Sequence, residues 1–367
     1  MKTTQAIFLT RDENKHYSPW SLQKINDWYQ KNGWPIGCNY IPHNAINQLE
    51  MWQEDTFSPC IIDKELAWAA GLGFNTIRVF LHHLLWEQDD KGFISRMEEF
   101  LTIASSHGIK TMFVLFDGVW NPFPKAGKQP EPRTLVHNSG WVQCPGYDVL
   151  NDATKYDCLR DYVHGVVNHF KNDERILVWD VFNEPDNMNT GSYKDDNYAL
   201  HKAALSMSLL KKAIGWIRAI DPVQPLTMAP WQFDWSDHSK LTELDNYMFS
   251  NSDIISFHCY EDKKGIEKRI KDLKRYERPM VCTEYMARPL KSTFKDILPV
   301  LKKHNVGGYN WGFVAGKSQT HIAWDSWQKP YEKEPELWFH DVLRSDGQPY
   351  CHKEVAYLAK FNKKHAC

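Results

Sequence analysis

Ile176-Leu177-Val178-Trp179-Asp180-Val181-Phe182, followed at once by Asn183-Glu184-Pro185, is the stretch that decides the fold. Seven nearly uninterrupted apolar residues are the mark of a parallel strand covered on both faces. Pro185 has no N–H for a sheet ladder and stops the strand there. Glu184 is thereby delivered to the strand's carboxyl end. Similar runs lie upstream in Thr76-Ile77-Arg78-Val79-Phe80-Leu81 and Thr111-Met112-Phe113-Val114-Leu115-Phe116. Working outward, strands are expected at residues 36–41, 75–81, 110–116, 176–182, 225–229, 253–258, 279–284 and 306–311. Amphipathic helical stretches separate them, including IDKELAWAAGLG, RMEEFLTIASSHG and YALHKAALSMSLLKKAIGWIRAI. Strands alternating with helices argue for βαβ units, and eight of them argue for a closed (β/α)8 TIM barrel.

The chain has 367 residues, 42% of them hydrophobic, enough for one barrel with loop insertions. No low-complexity linker, charge block or repeat divides it, so residues 1–367 are expected to form a single catalytic domain. A short helix, SLQKINDWYQKN, is expected to pack below or beside the barrel. Two connections are long, residues 117–154 after the third strand and 313–334 after the eighth. Both leave the carboxyl end of a strand, where barrels build their sites, and long loops in compact domains tend to be functional.

The seventh strand, Pro279-Met280-Val281-Cys282-Thr283-Glu284, also ends on a Glu. In a closed barrel the fourth and seventh strands face each other across the mouth. Two opposed carboxyl groups suit cleavage of a glycosidic bond: one protonates the leaving oxygen while the other attacks the anomeric carbon. A single strand-end Glu would be read as a cap. Two, on these two strands, point to Glu184 as acid/base and Glu284 as nucleophile, with the carboxyl groups about 5–5.5 Å apart for retention. The shared field should raise the pKa of Glu184, with Arg78 and Tyr260 keeping Glu284 ionised.

With these residues in place the chain resembles the clan A glycoside hydrolases, most closely the family-five, cellulase-like members. Arg78, in Thr76-Ile77-Arg78-Val79, resembles the strand-two Arg near the nucleophile. Asn183-Glu184-Pro185 is similar to the acid/base motif, which implies Asn183 on the sugar 2-hydroxyl. His258-Cys259-Tyr260 resembles the strand-six His-x-Tyr, and Trp311 the strand-eight Trp that floors the site. Strand three departs from the family pattern: Leu115-Phe116-Asp117 is followed by Gly118-Val119-Trp120 instead of the Asp-x-His type of ending. The resemblance implies a retaining β-glycoside hydrolase with no cofactor, acting on a carbohydrate.

Each accompanying residue has a physical role to play and a plainer alternative. Arg78 can hold Glu284 ionised by charge-assisted hydrogen bonds, or form a structural ion pair inside the barrel. Tyr260 can donate its hydroxyl to Glu284. His258 can touch substrate or Glu184, or be a satisfied core residue. Asp117, His82 and His83 lie near strand ends. Trp120, His137, Asn138 and Trp141 in the third loop, and His321, Trp324 and Trp327 in the last, are candidates to line a sugar subsite. Trp and Pro stiffen both loops, which are expected to lean inward and leave a pocket for one terminal sugar or a short oligosaccharide. An open, endo-acting groove of the cellulase, mannanase or xylanase kind is the alternative.

Other classes fit less well. With 44 Lys+Arg against 46 Asp+Glu the net charge is -2, which gives no sign of nucleic acid or an anionic membrane as partner. Aromatic content of 14%, with 16 Trp, suits the flat faces of sugars. Metal-dependent barrel hydrolases need clustered ligands. His82 and His83 are adjacent, and on a strand their side chains point apart, so no metal is expected. A catalytically silent sugar-binding barrel would be expected to lack one Glu. No G-x-S-x-G elbow or Gly-rich phosphate loop occurs. Transglycosylation would use the same residues. The eight Cys lack metal or redox spacing, and Cys38, Cys259 and Cys282 read as small buried hydrophobes. The segment MKTTQAIFLTRDENKHYSPW lacks the apolar run of a secretory signal. A cytoplasmic location is the expectation unless a leader precedes it. Oligomeric state is not legible.

Overall fold

The computed structural model describes residues 18–193 and 196–365. Most of the stretch read above for a secretory signal, residues 1–17, lies outside the described residues. All eight expected strands form: β1 (Ile36–Asn39), β2 (Thr76–Phe80), β3 (Lys110–Asp117), β4 (Ile176–Asn183), β5 (Leu226–Ala229), β6 (Ile255–His258), β7 (Met280–Tyr285) and β8 (Gly307–Asn310). They pair in parallel in the order β5-β4-β3-β2-β1-β8-β7-β6. Beyond that ladder, β5 and β6 meet through single bonds. Asp253 N and Ile254 N donate to Leu226 O, and the hydroxyls of Thr227 and Ser256 donate to Ile254 O and Met228 O, both at 2.7 Å. This nearly closes a (β/α)8 barrel. Among the described residues no helix is long and apolar enough to cross a membrane.

The strands are buried along almost their whole length because helices cover their outer faces. Helix Leu22–Asn32, capped by the Ser21 hydroxyl, closes the amino-terminal end. Its Ile25 packs against Met112, Val178, Val281 and Tyr309, which fill the barrel floor. Cys38, Cys259 and Cys282 are buried and free.

Two breaks in strand register decide what faces the mouth. In a regular strand, residues three apart point to opposite faces. Asp180 and Asn183 nevertheless both reach the Arg78 guanidinium, and the β4–β5 register shifts between them. On β7, Val281 lies in the barrel floor while Glu284, three residues on, faces the mouth, and the β7–β8 register shifts between Cys282 and Tyr285. A further shift after Phe257 sets His258 directly opposite Glu284. Bulges of this kind re-aim side chains at barrel rims.

The reading of His82 and His83 as strand residues pointing apart is corrected. His82 is the N-cap and His83 the first residue of helix His83–Ser106, so their rings stack with centroids 4.9 Å apart. Both are buried below the mouth, away from the cavity described next.

Candidate active site

Around the carboxyl ends of the strands lies a cavity of about 510 Å³. Glu184 and Glu284 face each other in it, each with a carboxylate oxygen within 4.8 Å of the other's. Asp117, Asn183, His258, Tyr260, Trp311, Trp120, His137 and Trp141 all line it, as do Trp324 and Trp327. Arg78 does not: it is wholly buried behind Glu284. His82 and His321 also lie off the cavity. His82 caps its helix through Nδ1 and pairs Nε2 with Gln143 O at 2.9 Å, while His321 packs on Trp338.

The guanidinium of Arg78 uses all five of its N–H donors. Nε and Nη2 donate to Asp180 Oδ2 at 3.0 and 2.8 Å, and Nη2 also donates to Asn183 Oδ1 at 2.6 Å. Nη1 donates to Asn39 Oδ1 at 2.9 Å and to Glu284 Oε1 at 3.0 Å. The two alternatives weighed for Arg78 are therefore both present, a structural ion pair with Asp180 and a charged bond to Glu284. Burial opposes the guanidinium's charge, and Asp180 and Glu284 outweigh it, so its pKa goes up.

Tyr260 donates its hydroxyl to the other oxygen of Glu284, Oε2, at 2.7 Å. Glu184 has neutral partners instead. Asn187 Nδ2 donates to Oε2 at 2.6 Å, and His258 Nδ1 lies 2.6 Å from Oε1. The same Nδ1 is 3.5 Å from Glu284 Oε2, so the ring stands between the two carboxyl groups. Burial lowers His258 to about 4, which keeps the ring neutral. Its Nε2 is buried without a hydrogen-bond partner among the described residues.

Burial raises both carboxyl groups, Glu184 to about 7 and Glu284 to about 6. Burial lifts Glu284, and the charge of Arg78 and the hydroxyl of Tyr260, as expected, favour its ionised form and hold it below Glu184. Asp117 is lifted by burial to about 7. Its oxygens accept from Asn183 Nδ2 at 2.9 Å and Trp141 Nε1 at 2.6 Å, which fixes a residue on each side of the cavity. The floor is aromatic: Trp311 and Trp141 meet edge-on, each against Phe80.

The loops after β3 and β8 interlock on one side of the cavity. Trp120 stacks on Trp327 with centroids 5.7 Å apart and planes 13° from parallel. Trp327 Nε1 donates to His137 O at 2.7 Å, His137 N to Ser326 Oγ at 3.0 Å, and His137 Nδ1 to Ile322 O at 2.8 Å. Tyr193, after β4, packs on Trp327 and donates to Ser139 O at 3.4 Å.

Among the described residues two groups of donor atoms approach metal-site spacing. In the cluster of His82, His83 and Cys144, both ring nitrogens of His82 are already engaged with backbone, which leaves a ligand set too small for a metal centre. The other is the pair Glu184 and Glu284 with His258 itself. Sequence reasoning missed Asn187, Asp180, Asn39 and Trp231, and also Lys202, on the helix after β4. Asn187 and Trp231 sit just past Pro185 and Pro230, where each loop begins, the one signal that could have singled them out.

A parallel barrel with two carboxyl groups opposed over its carboxyl-end mouth is the architecture of a glycoside hydrolase. A family model described as Cellulase (glycosyl hydrolase family 5) matches residues 29–330, and the chain belongs to that family. Among solved structures it is similar to the exo-β-1,4-mannosidase Op5Man5 of Opitutaceae bacterium strain TAV5, at 17% identity and TM-score 0.59 over 91% of this chain and 59% of that one. The chain thus spans about three-fifths of the length of that enzyme. It is similar too to the GH5_18 protein of Streptomyces cattleya in complex with GlcNAc, at 13% identity and TM-score 0.61 over 91% and 80% of the two chains. The β-mannanase of the blue mussel Mytilus edulis aligns at 17% identity and TM-score 0.56 over 80% and 89%. These likenesses concern the fold. A comparison with curated protein sequences finds no match.

Proposed function

We infer that Glu184 is the acid/base and Glu284 the nucleophile of an exo-type β-glycosidase that takes one terminal neutral sugar or a short oligosaccharide. The roles follow from the partners. Arg78 and Tyr260 stabilise the ionised form of Glu284, whereas Glu184, between an amide and a neutral imidazole, holds its proton to higher pH. In the first step an oxygen of Glu284 bonds to the anomeric carbon as the glycosidic C–O bond breaks, and the proton of Glu184 passes to the departing oxygen. In the second, water gives Glu184 a proton and attacks the same carbon, which frees the Glu284 carboxylate. The separation of the carboxyl groups, within 4.8 Å between oxygens, leaves no room for a water between nucleophile and sugar and supports double displacement. Asn183 lies beside Glu184 for the 2-hydroxyl, and Trp311 and Trp141 offer faces for the ring.

The observation that carries the exo reading is the interlock of Trp120, His137 and Trp327, which ties the β3 and β8 loops together beside the carboxyl pair. Among the described residues no Lys or Arg lines the cavity, and Asp117, Glu184, Glu284 and Asp325 do, which favours a neutral sugar over a uronic acid. The test is a panel of aryl β-glucosides, β-mannosides, β-xylosides and β-glucuronides, joined to a time course on a labelled hexasaccharide. Steady release of one small product from an end is expected, with the β-anomer formed first by NMR. An early spread of mid-length fragments would show an open cleft, and an inverted product would overturn the assignment of both Glu residues.

A further inference from the structure

Helix Asp196–Ile220 carries a lysine in an unusual place. Lys202 is fully buried, and its ammonium donates to Gly118 O, to Asn187 O and, at 3.2 Å, to Gln143 Oε1. Among the described residues these oxygens come from three segments: the turn leaving β3, the far end of the β3 loop, and the turn leaving β4. A buried ammonium costs several kcal/mol unless its surroundings repay it, and a structural helix position could be filled by Leu or Met.

What the ammonium holds explains its use. Asn187, whose carbonyl it binds, also donates its backbone N–H to Glu184 O at 3.0 Å and its side-chain amide to Glu184 Oε2 at 2.6 Å. Glu184 itself has φ 42, in the left-handed region that a residue with a side chain enters at a cost. The turn is clamped from the other side by Gly118. Its N–H donates to Asn183 O at 2.9 Å, and a β-carbon there would collide with the Glu184 carbonyl. Asn189 Nδ2 donates to Gly118 O as well, at 3.2 Å.

We propose that Lys202 is a positioning residue of the acid/base: its bonds to Gly118 O and Asn187 O hold the Asn187 turn, and with it the Asn187 amide, against the carboxyl group of Glu184. The charged and titratable groups that face Glu184 are Arg78 from β2, Asp117 from β3, Asp186 from its own turn, His258 from β6, Tyr260 just beyond β6, Glu284 from β7, and Lys202 from the helix. Of the two cations, Arg78 bonds directly to Glu284 and Lys202 reaches Glu184 through Asn187. Burial lowers Lys202's own pKa to about 7, so its charge fades over the range in which Glu184 titrates; what its loss changes is the amide, which loosens and no longer favours ionised Glu184, so the pH at which Glu184 loses its proton rises.

The inference rests on Glu184 being the acid/base. The experiment compares the full chain with Lys202→Met, Lys202→Gln and Glu184→Gln, reading kcat/KM against pH for two aryl glycosides, one with a good and one with a poor leaving group. Lys202→Met should move the alkaline limb upward by about half a unit to one unit and lose about tenfold more rate on the poor leaving group than on the good one. Lys202→Gln keeps N–H donors without the charge. It should recover much of the rate and bring the limb back toward its wild-type position. If Lys202→Met depresses both substrates equally and leaves the limb in place, Lys202 is only structural and the proposal fails. Should Lys202→Met not fold, Lys202→Ala decides, read on the same limb and the same two substrates. If Glu184→Gln shows no dependence on the leaving group, it is the acid/base reading that falls.

Discussion

The two carboxyl groups fix a narrow window of working pH. In the proposed roles the productive form has Glu284 ionised and Glu184 protonated. With Glu284 at about 6 and Glu184 at about 7, that form is lost on the acid side as Glu284 gains a proton and on the alkaline side as Glu184 loses one. The fraction in the right form peaks near pH 6.5 at about 60% and falls to about a tenth near pH 5 and pH 8. The two groups share one site, so the limbs report macroscopic values of the pair. The perturbation that tests the cause is Tyr260→Phe, which deletes the 2.7 Å bond to Glu284 Oε2. A charge-assisted bond of about 1.5 kcal/mol is worth about one pKa unit on the ionised form. The acid limb should therefore climb to about 7, the alkaline limb stay put, and the peak fraction fall to about a third. The assay is kcat/KM for one aryl glycoside from pH 4 to 9 in both proteins. An alkaline limb that moves with Tyr260→Phe, or a wild-type profile flat from about pH 5 to 9, would refute this account of the two groups.

Other outcomes follow from the same contacts. Glu284→Gln should leave no measurable turnover even with the best leaving groups, since no other oxygen replaces the one that bonds to carbon, and stopped-flow release of a dinitrophenolate will show it. Arg78→Lys keeps the charge but offers three donors where five are used, so the urea midpoint should fall by the equivalent of about 3 kcal/mol and kcat/KM by about a hundredfold. Glu184→Gln should be the more stable protein at neutral pH. The unfolded Glu ionises near its ordinary value while the folded one keeps its proton to about 7, so the wild type alone loses stability as pH rises between those values. The gap in unfolding free energy, read from urea midpoints, should open from about pH 4.5 to 7, reach at most about 3 kcal/mol and stay constant above. An unchanging gap would show that the burial of Glu184 is overstated.

Strand positions were legible because each strand is a short apolar run covered on both faces, and the two Glu residues because each ends such a run at a Pro or a loop. What could not be read was side-chain parity. A one-residue bulge flips every side chain beyond it, and nothing in Val178-Trp179-Asp180-Val181-Phe182-Asn183 marks where the flip occurs. By alternation Asp180 and Asn183 belong on opposite faces; both meet Arg78 because the register slips between them. The ion pair of Arg78 with Asp180 was invisible for that reason. His82 and His83 failed differently: they follow an apolar strand run and were read in its period, but the helix begins there and the cap turns both rings to one side. Lys202 looked like an ordinary exposed position in YALHKAALSMSLLKKAIGWIRAI, since only the folds of two distant loops bring carbonyl oxygens over it.

The division of labour between the two Glu residues is not written in either of them. Both end strands, both are almost fully buried, and burial alone would lift both to similar values and leave their roles interchangeable. The asymmetry comes from elsewhere in the chain. Glu284 receives a charged N–H from Arg78 on β2 and a hydroxyl from Tyr260 beyond β6, one on each oxygen. Glu184 receives an amide from its own turn and the edge of an imidazole that burial keeps neutral. Ionised oxygens gain most from the first set, which is why the nucleophile role is proposed for the carboxyl group on the Arg78 side. Moving the cation would then move the role. In Arg78→Met the difference between the two groups should shrink, both limbs of the pH profile should rise, the acid limb further, and the peak should collapse even in molecules that remain folded. A variant that kept a wild-type acid limb would show that Tyr260 and His258 suffice to choose the nucleophile, and that Arg78 serves the barrel through Asp180 alone.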